Sequence, residues 1–251
     1  MRWAVFVLFG CGRLGFDPTL TPTDAAGDAS VTGQCAEQVP GLIARFPLDG
    51  DATNTGLGGE GVELGGVGYA PGLIDRALLL DGVDDVVQLP PVAIDDYTLS
   101  FWVRTTDVGT GTSTDLWFDG KSLVDAEVCG ATATGDFGTV LIDGGHVAGA
   151  GTVVHSTTVI NDDAWHHVVF TRDLAGSTMA FYVDGAFIDS GMFPGAGFSH
   201  TEIPWIGIGN NPCRIDQGVN FFAGLIDEVT FHDRVMSAPE VLSLFECVTG
   251  P

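Results

Sequence analysis

The chain is 251 residues long and 45% hydrophobic, enough to bury a real core in one large domain or two small ones. Lys and Arg total 9 against 33 Asp and Glu, a formal charge of -24, which repels polyanions and excludes nucleic acid and anionic membrane surfaces as expected partners. With 36 Gly and 12 Pro, almost all outside runs of helical period, the composition favours short strands joined by turns and so an all-β class.

The first element is an address. "MRWAVFVLFGCG" places Arg2 before an apolar run from Trp3 to Phe9, then a small residue and Cys11, the layout of a secretory signal and too short for a membrane-spanning helix. "LFGC" at Leu8 to Cys11 resembles the bacterial lipobox, which implies a signal peptide over 1–11, lipid on Cys11 and exposure at an outer membrane or cell surface. In a Gram-negative source, Gly12 in place of Asp favours outer-membrane delivery. Contact with a membrane is then expected only through that anchor. Residues 12–34, rich in Pro, Thr, Gly and Asp without apolar period, read as a flexible tether, and the folded domain is expected over 35–250.

Four cysteines remain, Cys35, Cys129, Cys213 and Cys247, and an even count in an exported chain points to disulfides with three possible pairings. Cys35 and Cys247 bracket the folded region, so they are natural partners if the termini meet. Cys129 with Cys213 follows by elimination.

The strands come next in order. "ALLLDGVDDVVQLP" (77–90) reads as strand, Asp-Gly turn, strand, and "YTLSFWVRT" (97–105) alternates Tyr97, Leu99, Phe101 and Val103 against Ser100, Trp102 and Arg104. "GTVLIDGGHVAGAG" (138–151) and "IPWIGIGN" (203–210) add short strands. "WHHVVFTRDLAGSTMAFYVDGAFIDSG" (165–191) holds two alternating runs around turn residues 173–177, followed by Asp184-Gly185, a strong hairpin signal. His166 and His167 fall on opposite faces of that strand, which prevents a joint catalytic role. Helix is expected only near the end, where Ser237 and Glu240 fit a capping box before "APEVLSLFE".

Taken in order, "FPLDGDATNTGLGGEG", "GLIDRALLLDGVDDVVQLP", "YTLSFWVRT", "WHHVVFTRD", "FYVDG", "WIGIGN" and "FAGLIDEVTFHDRVMSAPEV" resemble the LamG-like jelly-roll domain of the concanavalin A-like lectin/glucanase superfamily, over about residues 42–246. The resemblance implies an all-β, two-sheet antiparallel jelly-roll sandwich with a short C-terminal helix, often a binding surface for carbohydrate or protein. It also implies a calcium ion between the first and last strands, held by Asp49 and Asp227 with carbonyls near Gly58, and with Asp51 and Asn54 in reserve. Hard oxygen ligands suit that ion.

Catalysis is not expected. Glucan-cleaving relatives carry an E-x-D-x-x-E strand that this chain lacks, and adjacent Asp227 and Glu228 in "LIDEV" are expected on opposite faces of a strand. "GLGGEG" (56–61) fits G-x-G-x-x-G without a leading strand or following helix, and neither G-x-S-x-G nor H-E-x-x-H occurs. The candidate ligand surface is aromatic, since rings stack on sugars: Trp117 and Phe118 beside the only lysine, Lys121, with Phe137 following; the competing reading is that these aromatics anchor the long loop onto the sandwich, as large rings gain much from burial. The function expected is a non-catalytic, surface-anchored carbohydrate-binding or adhesion module, acting as a monomer on a glycan or surface protein. The alternatives are a structural protein-interaction domain of a cell-surface assembly or a divergent glycoside hydrolase or polysaccharide lyase.

Overall fold

In β6 (Tyr97–Arg104), strict alternation divides the side chains: Tyr97, Leu99, Phe101 and Val103 enter the core, while Thr98, Ser100, Trp102 and Arg104 take the other face. The same grammar builds the rest of a computed structural model that describes residues 35–92, 95–111, 119–126, 137–149, 154–192 and 205–250. The strands before β6 are β1 (Leu42–Phe46), β2 (Val62–Leu64), β3 (Gly68–Pro71), β4 (Arg76–Asp81) and β5 (Val86–Leu89). After it come β7 (Lys121–Ala126), β8 (Phe137–Ile142), β9 (His146–Gly149), β10 (Val154–Val159), β11 (Trp165–Asp173), β12 (Thr178–Val183), β13 (Ala186–Met192), β14 (Ile206–Ile208) and β15 (Ala223–His232). Helix α1 (Ala238–Thr249) closes the fold.

Among the described residues the strands form two antiparallel sheets. The eight-stranded sheet has the order β13-β12-β11-β6-β15-β4-β3, with β1 also paired to β15; the seven-stranded sheet has the order β10-β9-β8-β7-β14-β5-β2. Side chains from both, among them Phe46, Leu78, Phe101, Phe170, Ile206 and Phe231, fill one core between the layers. This is the jelly-roll sandwich that the sequence implies.

Two Asp-Gly turns behave differently. Asp184 and Gly185 both have positive φ, 52° and 73°, as a type I′ turn needs, and they join β12 to β13 as a hairpin. Asp81-Gly82 instead carries the chain from β4 in one sheet to β5 in the other. The dipeptide specifies a reversal and leaves the pairing open.

A second departure lies in β15. Its register against β6 shifts between Asp227 and Thr230, and Glu228 has φ 51°, so a β-bulge interrupts the alternation. Asp227 stands opposite Trp102, and Glu228 lines a small cavity with Ser100, Trp102 and Thr230, all from the outer face. The expectation of opposite faces therefore fails at this pair. Arg172 also departs from habit, because its place on the core side of β11, opposite Tyr97, buries it fully.

The ends of the domain meet as expected. Cys35 and Cys247 form a disulfide with Cα atoms 5.9 Å apart, fastening α1 to the start of the fold. Cys213 is also disulfide-bonded, while Cys129 and Cys11 lie outside the described residues. The N-terminus of α1 carries the expected cap: Glu240 Oε2 accepts from Ser237 N at 2.8 Å and from Ser237 Oγ at 2.7 Å, and the same carboxylate pairs with Arg234. Buried Val241 and Leu244 then pack the helix against Val169, Tyr182 and Met236 on the outer face of the eight-stranded sheet. No helix among the described residues is long and apolar enough to cross a membrane.

Candidate functional site

The first candidate is the acidic corner where the ends of the sheet meet. Asp49 Oδ1 accepts from Arg76 N at 3.1 Å, and Asp227 Oδ2 accepts from Leu73 N at 2.9 Å and Ile74 N at 3.2 Å, so both aspartates hold one turn, residues 72–76. Asp227 is fully buried, and its Oδ1 has no hydrogen-bond partner among the described residues. Burial, then the charges of Glu228 and Asp49, push its pKa up to about 8 against the two amides that lower it. Burial also raises Asp49, less strongly opposed by the Arg76 amide. The charge of Asp49 adds to that of Glu228 in disfavouring the ionised form of Asp227. A buried carboxylate oxygen without a partner, next to a second carboxylate, suits a hard cation.

The other expected ligands are engaged elsewhere. The Asn54 amide organises its own loop, accepting from Arg45 N and Gly56 N and donating to the carbonyls of Leu57 and Gly59. Gly58, at φ 102°, lies in that loop against Val92, and Asp51 Oδ1 caps Thr53 N at 2.9 Å. Asp81, Asp84 and Asp85 also converge within 4.8 Å, in the turn between β4 and β5, where Asp85 and Asp81 already accept from Asp81 N and Val83 N.

The second candidate is a groove of about 510 Å³ on the outer face of the eight-stranded sheet. Cross-strand register explains its floor: Leu225 stands between Leu79 of β4 and Arg104 of β6, and Ala70 and Pro71 of β3 extend the surface. Its rim is polar, with Arg104, Thr105, Thr106, Asp107 and Asp163. Arg104 Nε donates to the Asp163 carbonyl and Oδ1, and Nη2 donates to Oδ2 at 3.1 Å. Asp107 Oδ2 accepts from Lys121 Nζ at 2.6 Å and from Ala223 N at 3.2 Å. Lys121, expected at a ligand surface, is thus ion-paired to a residue of the groove rim. Trp117 and Phe118 lie outside the described residues, as does the side chain of Phe137 at the start of β8.

A third constellation escaped the sequence reading. Ser100 Oγ lies 2.7 Å from His167 Nε2, a nucleophile–base spacing, yet His167 is buried against Trp102 and Phe245 beneath α1. Burial pulls the His167 pKa down to about 4. The adjoining cavity, about 10 Å³, has room for roughly one water and no substrate. His166, at the rim, instead bridges Asp184 Oδ2 at 2.8 Å and Asp162 Oδ1 at 3.1 Å. The pair is divided between two environments, as the alternation requires.

Comparison with known proteins adds a family. Residues 81–242 match the Laminin_G_3 model, described as the concanavalin A-like lectin/glucanases superfamily. Domain 4 of AbnA, a GH43 extracellular arabinanase from Geobacillus stearothermophilus solved with arabinotriose, superposes with TM-score 0.64 at 21% identity, over 81% of this chain and 98% of that one. Trypanosoma rangeli sialidase gives 0.62 at 16%, over 82% of this chain and 33% of that one. The binding domain of Paraclostridial Mosquitocidal Protein 1 gives 0.58 at 19%, over 86% and 54%. A search of curated protein sequences finds no match to the chain. The sandwich of two antiparallel sheets and the matched span lead to one conclusion: the chain belongs to the concanavalin A-like lectin/glucanase superfamily.

Proposed function

We propose that the chain is a non-catalytic carbohydrate-binding module, exported and held at a cell surface through lipid on Cys11. The observation that carries the non-catalytic part is that the nucleophile–base pair and the carboxylates nearest the groove and the small cavity are engaged within the fold. Ser100 and His167 are sealed under α1, Asp107 and Asp163 are ion-paired, and Glu228 is buried in a two-pronged bond to Arg45. A carboxylate tied to a cation serves poorly as general acid or nucleophile. Support for a sugar ligand comes from the match to nearly the whole of a domain solved with arabinotriose. A glycan array probed with the domain, with and without calcium, tests the reading. Binding without release of reducing ends is expected; hydrolysis or elimination products would overturn the non-catalytic assignment, and binding to protein alone would favour the interaction-domain alternative. Mass spectrometry of mature protein should show lipid on Cys11, and an unmodified Cys11 removes the anchor.

In the same reading Asp49 and Asp227 hold a calcium ion. When bound, the ion would neutralise two neighbouring carboxylates and join the first and last parts of the sandwich. At a hundredfold excess over its dissociation constant an ion adds about 2.7 kcal/mol to stability. Chelator should therefore lower the melting temperature of the wild type and leave Asp227→Asn unchanged. Equal melting of the wild type with and without chelator rejects the ion.

A further inference from the structure

We infer that the groove on the outer face of the eight-stranded sheet is a binding site for a neutral oligosaccharide, an assignment that rests on the carbohydrate-binding reading above. The volume, about 510 Å³, falls in the range of small-molecule sites. Its floor of Leu79, Leu225 and Pro71 is aliphatic, and Leu79 is 42% exposed although its strand is paired on both sides. The rim supplies direction. Arg104 engages Asp163 through Nε and Nη2, leaving Nη1 without a hydrogen-bond partner among the described residues, and Thr106 also lines the groove.

The Arg104–Asp163 pair is built more firmly than stability requires. Its side chains are 37% and 59% exposed, so solvent screens the ion pair and its own contribution to stability is small. Nevertheless three further features hold it. Asp163 N donates to Thr105 O at 3.1 Å, the Asp163 carbonyl accepts from Arg104 Nε at 2.8 Å, and Asp163 keeps φ 66°, uncommon outside glycine. A planar donor fork and a carboxylate fixed side by side are preorganised for a ligand that both donates and accepts.

Charge and topology select the ligand class. Arg104 cancels Asp163 and Lys121 cancels Asp107, so the rim is locally neutral, while the chain as a whole carries -24 and disfavours an anion. An extended peptide would pair with a sheet edge, yet the groove lies mainly on the face of β4, β15 and β6, each paired on both sides, and edge strand β3 contributes only Ala70 and Pro71, the latter without an N–H to offer. What fits is a neutral molecule with a C–H face for Leu79 and Leu225 and a hydroxyl edge for Arg104, Thr106 and Asp163. Sugar rings have both.

Titration calorimetry tests this with the whole domain, using arabinotriose, a panel of other neutral oligosaccharides, and sialyllactose as the anionic probe. Arg104→Met and Leu79→Glu should each weaken the binding of whichever neutral oligosaccharide the wild type takes, by about tenfold or more. Val83→Ala, at a turn residue 67% exposed and outside the groove, should leave it unchanged. Circular dichroism checks that each variant folds, and amide shifts on adding ligand should centre on residues 68–71, 79, 104–107, 163 and 223–225. Wild-type binding that both groove variants retain overturns the groove and leaves the carbohydrate reading standing. Binding of sialyllactose alone overturns the ligand class, and binding of no saccharide at all overturns both.

Discussion

One face of one sheet has two fates in this molecule. Trp102, His167 and Val169 project from the outer side of the eight-stranded sheet, and so do Leu79, Leu225 and Arg104 nearby. The first group lies beneath α1, with Phe245 stacked on Trp102 at 5.7 Å, and is buried; the second borders an open groove. Alternation along a strand decides which side a residue takes, and the element that covers that side decides whether it meets solvent. A helix tied down by a disulfide makes half of the face core and leaves the other half available for a ligand.

The sharpest way to expose that contrast is to truncate each half. Trp102→Ala should cost about 3–5 kcal/mol of unfolding free energy, because a buried indole leaves a cavity under α1. Leu79→Ala in the groove should cost less than about 1 kcal/mol. Urea unfolding of both variants measures the difference, and equal losses would mean that α1 does not seal its half. Breaking the staple comes next: replacing Cys35 and Cys247 with serine should lose about 2–4 kcal/mol and speed hydrogen exchange in α1 ahead of β6.

Acid should act mainly on the covered half. Burial holds the pKa of His167 and His232 down to about 4, so each stays neutral in the fold while the unfolded chain takes up protons near 6.5. Their contribution is present above about pH 6.5 and is lost as pH falls towards 4, by up to about 1.4 kcal/mol per pH unit for each. His166 runs the other way. Its hydrogen bond to Asp184 raises its pKa, so its contribution is full below the unfolded value and lost as pH rises through the folded one. His167→Gln should flatten the acid limb of a stability profile; an unchanged slope would show that His167 is not held neutral. The smallest effect is expected at the groove, where Arg104→Met should leave the urea midpoint nearly unchanged while weakening saccharide binding by about tenfold or more.

Much of the fold was legible because its signals are local. Alternation at 97–104 and 165–173, the Asp184-Gly185 hairpin and the Ser237–Glu240 cap depend on residues within a few positions of each other. At the candidate sites less could be read. Asp49 and Asp227 were singled out through a resemblance, and the structure places both on the 72–76 turn. The groove was not foreseen, because Leu79, Arg104, Asp163 and Leu225 come from four distant segments whose order in the sheet no local pattern contains. Lys121 was expected at a ligand surface, and its ion pair with Asp107 is a contact that no local pattern contains.

By itself, the sequence determined that the chain is all-β, that its charge repels polyanions, and where its strands alternate, since these follow from composition and from the two-residue period of a pleated backbone. Only the tertiary structure decided that Asp81-Gly82 crosses between sheets while Asp184-Gly185 closes a hairpin, that a bulge puts Asp227 and Glu228 on one side, and that α1 covers Trp102 but not Leu79. Each of those outcomes depends on partners far away in the chain. Long-range packing chooses among arrangements that local preferences leave nearly equal in energy.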